Sequence, residues 1–168
     1  TAVQLSRGKG EAQLLLEVAL LMQDLGRLAA DLVLFAMAEL AYVELPRAMT
    51  TGSSIMPQKR NPDVFELIRG HSATAQACLT ETLAITSKLT SGYHRDLQLL
   101  KAPLFRGIDL CLATLAILPP ALDGVHFNKE RIALDPSVHA AAEANLLVAK
   151  EGIPFRDAYR RIAEKYRK

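Results

Sequence analysis

From Glu11 to Tyr42 the chain runs 32 residues without a proline and with a single glycine, Gly26. Apolar residues recur at Leu14, Val18, Leu21, Leu25, Leu28, Leu32 and Phe35, in steps that alternate four and three. That is the spacing of a helical seam. A second stripe runs beside it at Leu15, Ala19, Met22, Ala29, Val33, Ala36 and Leu40, while Glu17, Asp24, Arg27 and Asp31 share a narrow polar face. The pattern predicts a helix of about 30 residues, apolar over most of its circumference. Such a helix cannot lie on the surface of a small monomer. It belongs in a bundle with neighbours on several sides, so an obligate oligomer is expected.

Glycine and proline divide the remainder. Pro46 ends the first region, and Thr50-Thr51-Gly52-Ser53-Ser54 reads as a loop that continues through Pro57. Asn61-Pro62 looks like an N-cap followed by a proline at the first helical position. Asp63 and Glu66 follow, where negative charge suits the helix dipole. This second helix is predicted to run to about Lys88, with Gly70, Ser72, Ala73, Ala75 and Ala77 permitting close helix approach. Thr90-Ser91-Gly92 interrupts the pattern, and Pro103 is expected to start a third helix ending at or soon after Pro119-Pro120. Asp135-Pro136 should open a fourth helix, closed by Gly152, and Pro154 a short fifth one with a basic end. No convincing strand and no internal repeat is visible. The expected class is all-α: a long-helix bundle segment over 1–123 carrying the loop 50–62, then a small helical segment over 124–168.

Composition excludes several roles. Half of the 168 residues are hydrophobic but only 5% are aromatic, so the core must be aliphatic. With 20 basic and 18 acidic residues the net charge is +2. That leaves no electrostatic case for nucleic acid or an anionic membrane. Cys78 and Cys111, the only cysteines, make neither a disulfide framework nor a zinc site and suit a reducing cytoplasm. No uncharged run approaches the roughly 18 apolar residues of a membrane helix, and no signal pattern opens the chain. It begins with Thr1 rather than Met, which reads as a fragment or a processed product.

The chemistry concentrates in Gly52-Ser53-Ser54-Ile55-Met56-Pro57-Gln58-Lys59-Arg60-Asn61-Pro62. A flexible entry carries a hydroxyl pair; six residues after Ser53 comes an ammonium, and two further on an amide at a helix start. Hydroxyl, ammonium, amide and helix N-terminus together suit a carboxylate or a developing oxyanion. A polar bundle connection with no ligand fits the same residues about as well.

That stretch resembles the signature loop of the fumarase/aspartase lyase superfamily. Within it, Asp63-Val64-Phe65-Glu66-Leu67-Ile68-Arg69-Gly70 is similar to the argininosuccinate lyase branch. So are Tyr93-His94-Arg95-Asp96-Leu97-Gln98-Leu99-Leu100-Lys101, Pro103-Leu104-Phe105 and Gly152-Ile153-Pro154-Phe155-Arg156-Asp157-Ala158. The resemblance implies a β-elimination that cleaves argininosuccinate to arginine and fumarate, without cofactor or metal, in a cytoplasmic homotetramer whose sites are each built from three subunits. It assigns Ser53 as the base, and Lys59 and Asn61 as holders of a substrate carboxylate. Glu66 becomes the partner of a catalytic histidine, and Tyr93, Gln98 and Lys101 the binders of the amino-acid portion and carboxylates. His94 stands where the family has another polar residue and reads as a loop variant; His71, His126 and His139 carry no motif.

The chain also departs from the family pattern. The family's serine-arginine-asparagine motif and the stretch bearing the histidine that acts with the glutamate do not occur, and Leu5-Ser6-Arg7-Gly8-Lys9-Gly10 replaces an acidic-basic motif. The expected extent is therefore the second half of the central bundle plus the start or most of the C-terminal helical domain, able to supply part of a site but not to complete one. Another lyase of the superfamily (adenylosuccinate lyase, aspartase, fumarase) and a non-catalytic, crystallin-like protein of the same fold are the competing expectations.

Overall fold

A computed structural model describes residues 2–167; Thr1 and Lys168 lie outside the described residues. The chain divides into two compact units, Thr1–Lys129 and Glu130–Lys168.

The first unit is a helical bundle. A short helix α1 (Ala2–Leu5) precedes α2 (Lys9–Phe35), and α3 (Asp63–Thr86) and α4 (Lys101–Asp123) complete it. Two tiny antiparallel ribbons decorate one end: β1 (Val43–Glu44) with β4 (His126–Phe127), and β2 (Thr51–Gly52) with β3 (Arg60–Asn61). The all-α expectation therefore holds, with these two-residue strands the exception; they are too short to leave an alternating pattern.

Helix α2 enters through Gly8 at φ 89°, and the Glu11 carboxylate reaches back to accept the Gly8 amide at 2.9 Å. It ends seven residues before the predicted Tyr42. The Tyr42 amide donates to Phe35 O at 2.9 Å, the two rings stand 5.8 Å apart, and Ala41 takes a positive φ of 48°. Pairing of β1 with β4 and this reversal override the helical pattern of Ala36–Leu40.

The buried stripe of α2 is Leu15, Ala19, Met22, Gly26, Ala29 and Leu32, drawn mostly from the second of the two expected stripes. It packs against antiparallel α3. A Cβ on Gly26 would fall 2.9 Å from Ser72 Oγ, and one on Gly8 would fall 2.3 Å from Thr86 Cγ2, so the start of α2 meets the end of α3. Of the small residues expected at helix crossings, Ser72 and Ala75 serve this one; Gly70, Ala73 and Ala77 are exposed. Because Gly26 leaves no room for a side chain, Gly26→Leu should destabilise the unit by about 1–3 kcal/mol, read as a lower denaturant midpoint with an unchanged slope.

The core divides along the bundle. Ala29, Leu32, Val43, Phe65, Ile68, Leu118 and Ala121 form one cluster, and Met22, Ala75 and Cys111 another. Both cysteines are buried and unbridged, and burial pushes the Cys111 thiol up. Helix α4 begins at Lys101, directly after a 3-10 turn over Arg95–Leu100, so Pro103 sits inside its first turn rather than opening it. It also runs through Pro119 and Pro120 to Asp123, with Leu118 and Ala121 buried in the larger cluster. By length and composition, Arg95–Asp123 is apolar enough to cross a membrane. Its charge-free run is only the 13 residues 110–122, well short of the ~20 a span requires, and α4 packs along α3.

Apolar side chains on the outside of the bundle remain uncovered. On α2, Leu14, Leu16, Leu20, Leu21, Leu28 and Leu34 are 39–49% exposed; on α4, Phe105, Leu112 and Leu115 are 42–59% exposed. The residues predicted to need several neighbours have only one side covered.

The second unit pairs α5 (Ala140–Glu151) with α6 (Phe155–Lys165). The Asp135 carboxylate accepts the Ser137 amide and starts a 3-10 turn over Pro136–His139 that leads into α5. Gly152 at φ 66° closes α5, as expected of a left-handed C-cap. Glu143 locks the two helices, accepting from Lys165 Nζ at 2.7 Å and Tyr166 OH at 2.8 Å. Those hydrogen bonds hold its carboxyl below the usual range.

Candidate active site

The signature loop is a ribbon tip at the N-terminal end of α3. Thr51 pairs with Asn61 and Gly52 with Arg60, leaving residues 53–59 as the connection. The Thr51 hydroxyl donates to the Asp63 carboxylate, tying the ribbon to the first turn of α3. Helix α3 starts one residue later than the sequence suggests: Pro62 occupies the cap position, and Asn61 belongs to β3. Its phase is set by Phe65 and Ile68, 0% and 2% exposed. With those two turned inward, Glu66 faces outward and is exposed.

Within the tip, Ser53 Oγ accepts the backbone amides of Ile55 at 3.2 Å and Met56 at 3.1 Å. Serine commonly folds a turn this way. Those donors also favour negative charge on the oxygen they contact, which a serine acting as a base requires. The Lys59 amide donates to Met56 O at 3.0 Å, closing the next turn. The Lys59 side chain is exposed, with no ion-pair partner among the described residues. Asn61 is half-buried opposite Thr51. The Glu66 carboxylate has no histidine partner among the described residues. The Thr51–Asp63 tie and the Ile55 and Met56 amides were not anticipated. A threonine and an aspartate twelve residues apart and two ordinary main-chain amides leave no pattern in a sequence.

The other expected residues lie at the opposite end. Leu100 Cδ1 lies 3.5 Å from where a Cβ on Gly8 would stand, and the same point meets Thr86. The Tyr93–Lys101 segment is thus seated at the C-terminal end of α3. Gln98 Nε2 donates to Tyr93 OH at 3.0 Å, so these two are brought together. Lys101, exposed, opens α4 just beyond them. His94 turns back to Thr90, its Nε2 3.0 Å from Thr90 O, in keeping with a loop role.

The seven expected residues thus form two groups, with Ser53, Lys59, Asn61 and Glu66 at one pole and Tyr93, Gln98 and Lys101 at the other. Helix α3 separates them, and its 24 residues span about 36 Å at a rise of ~1.5 Å each. No molecule of small-metabolite size bridges that gap.

A family profile described as Lyase matches residues 4–77. The argininosuccinate lyase of Sorangium cellulosum is 52% identical over 96% of this chain and 38% of its own length. That of Thermotoga neapolitana is 41% identical over 97% and 41%. The chain spans about two-fifths of the length of the curated relatives it matches. Among solved structures, an EDDS lyase in complex with formate superposes with a TM-score of 0.73 at 26% identity, over 90% of this chain and 31% of that one. A class II fumarase from Schistosoma mansoni gives 0.74 at 21% identity, over 98% and 35%, a likeness of fold alone. Residues 4–77 thus match the lyase family, and over nearly its whole length the chain is similar in sequence to argininosuccinate lyases.

Proposed function

We propose that this chain is the part of an argininosuccinate lyase that carries both the signature loop and the substrate clamp, and that it works only when several copies pack together. The observation that carries this reading is the separation of the two residue groups to opposite ends of α3. One copy cannot close them around a substrate. A second copy packed antiparallel can, because it brings its Tyr93 end to the first copy's Ser53 end. The uncovered leucines of α2 and the apolar face of α4 supply the surface for that packing. A homotetramer is the assembly proposed, and the buried, unbridged cysteines suit the cytoplasm.

In this reading Ser53 removes the proton from the substrate carbon beside a carboxylate. The electron pair moves onto that carboxylate, forming an aci-carboxylate, and Lys59 and Asn61 stabilise the charge where it develops. The carbon–nitrogen bond then breaks, an acid protonates the departing nitrogen, and fumarate and arginine leave. Glu66 orients a histidine supplied from outside this chain. Tyr93, Gln98 and Lys101 hold the amino-acid portion and carboxylates of the substrate.

The test is fumarate release from argininosuccinate, followed by absorbance. The purified 168-residue chain should show no turnover, and adding the remaining portion of the enzyme should restore it. Turnover by the pure chain alone would overturn the shared site. Failure of the completed enzyme to cleave argininosuccinate would overturn the substrate assignment.

A further inference from the structure

A small hollow opens at the Tyr93 end of the bundle, lined by Arg7, Thr86, Thr90, Ser91, Gly92 and Leu97, with a volume of about 180 Å³. Most of its lining comes from Thr86–Gly92, and Arg7 is contributed by Leu5–Gly10, the stretch that departs from the family's acidic-basic motif. None of its lining residues belongs to the seven discussed above.

The hollow is held in shape from both sides. On one side, Gly8 at φ 89° lets the backbone lie directly on the end of α3; a Cβ there would fall 2.3 Å from Thr86 Cγ2. Glu11 then fixes the turn with both oxygens. Oε2 accepts the Gly8 amide at 2.9 Å, and Oε1 stands 3.7 Å from Arg7 Nε. This presents Arg7 by its inner nitrogen and leaves the two Nη groups without a partner among the described residues. The Arg7 side chain is only 33% exposed. On the other side, His94 Nε2 pins Thr90 through its carbonyl at 3.0 Å and its hydroxyl at 3.2 Å. Gly92, at φ 116°, turns the chain beside Ser91.

We infer that this hollow is a second anion site, taking the carboxylate of a small organic acid beside the substrate clamp. A guanidinium with two free donors matches the two oxygens of a carboxylate in one plane. The Thr90 and Ser91 hydroxyls can donate to such oxygens, while the Thr86 hydroxyl is turned to the carbonyls of Thr82 and Leu83. At about 180 Å³ the hollow is smaller than the roughly 300–1,000 Å³ of drug-sized ligand pockets, which selects a small acid. With Glu11 beside the single cation, a carboxylate is favoured over phosphate, whose charge is concentrated on one group. This goes beyond the lyase reading and does not depend on it.

The experiment is calorimetric titration of the 168-residue chain with fumarate, in a Lys59→Ala background that silences the signature loop, with phosphate as the competing probe. Fumarate should bind in that background, and adding Arg7→Gln should weaken it at least tenfold. Ser91→Asp, which places a repelling carboxylate at the hollow without touching the Arg7–Glu11 pair, should do the same. It serves as the control if Arg7→Gln lowers the melting temperature. Loss of all binding in Lys59→Ala alone would overturn the inference while leaving the loop reading intact. Binding unaffected by both Arg7→Gln and Ser91→Asp would also overturn it. Phosphate that competes as well as fumarate would overturn the carboxylate assignment.

Discussion

In a full-length enzyme carrying this segment, Ser53→Ala is expected to lower kcat by roughly 10²–10⁴-fold, the range a general base contributes, with KM changed little. The oxygen removed is the one that accepts the Ile55 and Met56 amides. In the resting protein those bonds fold a turn; in the proposed reaction they would stabilise the serine alkoxide before it takes the substrate proton. The substitution leaves the assembly intact, because residues 54–60 of the loop are exposed and the ribbon is anchored elsewhere, through Thr51–Asp63 and the strand pairing. Fumarate release at saturating substrate measures the first effect, and light scattering the second. A rate constant within tenfold of the parent, or dissociation of the oligomer, would remove Ser53 from the chemistry.

How much of this was legible in the sequence depends on the range of the interactions involved. The connection over 50–62 was legible because Gly52, Ser53, Ser54, Pro57 and Pro62 each act on the backbone next to them, while the pairing of Thr51–Gly52 with Arg60–Asn61 across it was not. Likewise Asp135 and Gly152 mark their helix ends by purely local geometry. The errors fall where distant residues decide. Residues 36–40 continue the helical pattern, yet the chain turns because Tyr42 bonds back to Phe35 and β1 finds β4 some 80 residues later. By contrast, Pro119 and Pro120 mark the end of α4 as expected: the helix closes three residues later at Asp123, with Leu118 and Ala121 buried in the larger core cluster.

The site shows the same division. Each candidate residue could be named from its motif, but their arrangement in two groups at opposite poles depends on the direction and length of α3. That much follows from a helix predicted between Asn61 and about Lys88: a rigid rod of more than six turns lies between the two motifs. The main-chain amides that contact Ser53 had no such signal. Nor did Arg7, whose placement depends on a left-handed glycine packed against Thr86.

If the poles meet only between copies, two defective chains should repair one another. A full-length enzyme with Ser53→Ala retains a sound Tyr93 pole, and one with Gln98→Ala retains a sound Ser53 pole. Each alone is expected to have little activity. When the two are unfolded together and reassembled, a site needs its loop from one parent and its clamp from the other. Random mixing satisfies both conditions in about a quarter of sites, so roughly a quarter of the parental activity should return, as independent placement in a symmetric oligomer requires. Pre-assembled oligomers that are mixed without dissociation should show no recovery, because exchange must precede it. The same mixture with Ser53→Ala and Lys59→Ala should also stay inactive: both residues lie on one ribbon tip, within seven residues of each other, so every loop in the mixture carries one defect or the other. Fumarate release across these mixtures separates the two cases. No recovery in the Ser53/Gln98 mixture would mean that the two poles of α3 do not meet between copies, and recovery in the Ser53/Lys59 mixture would mean that Ser53 and Lys59 of one loop do not serve the same site.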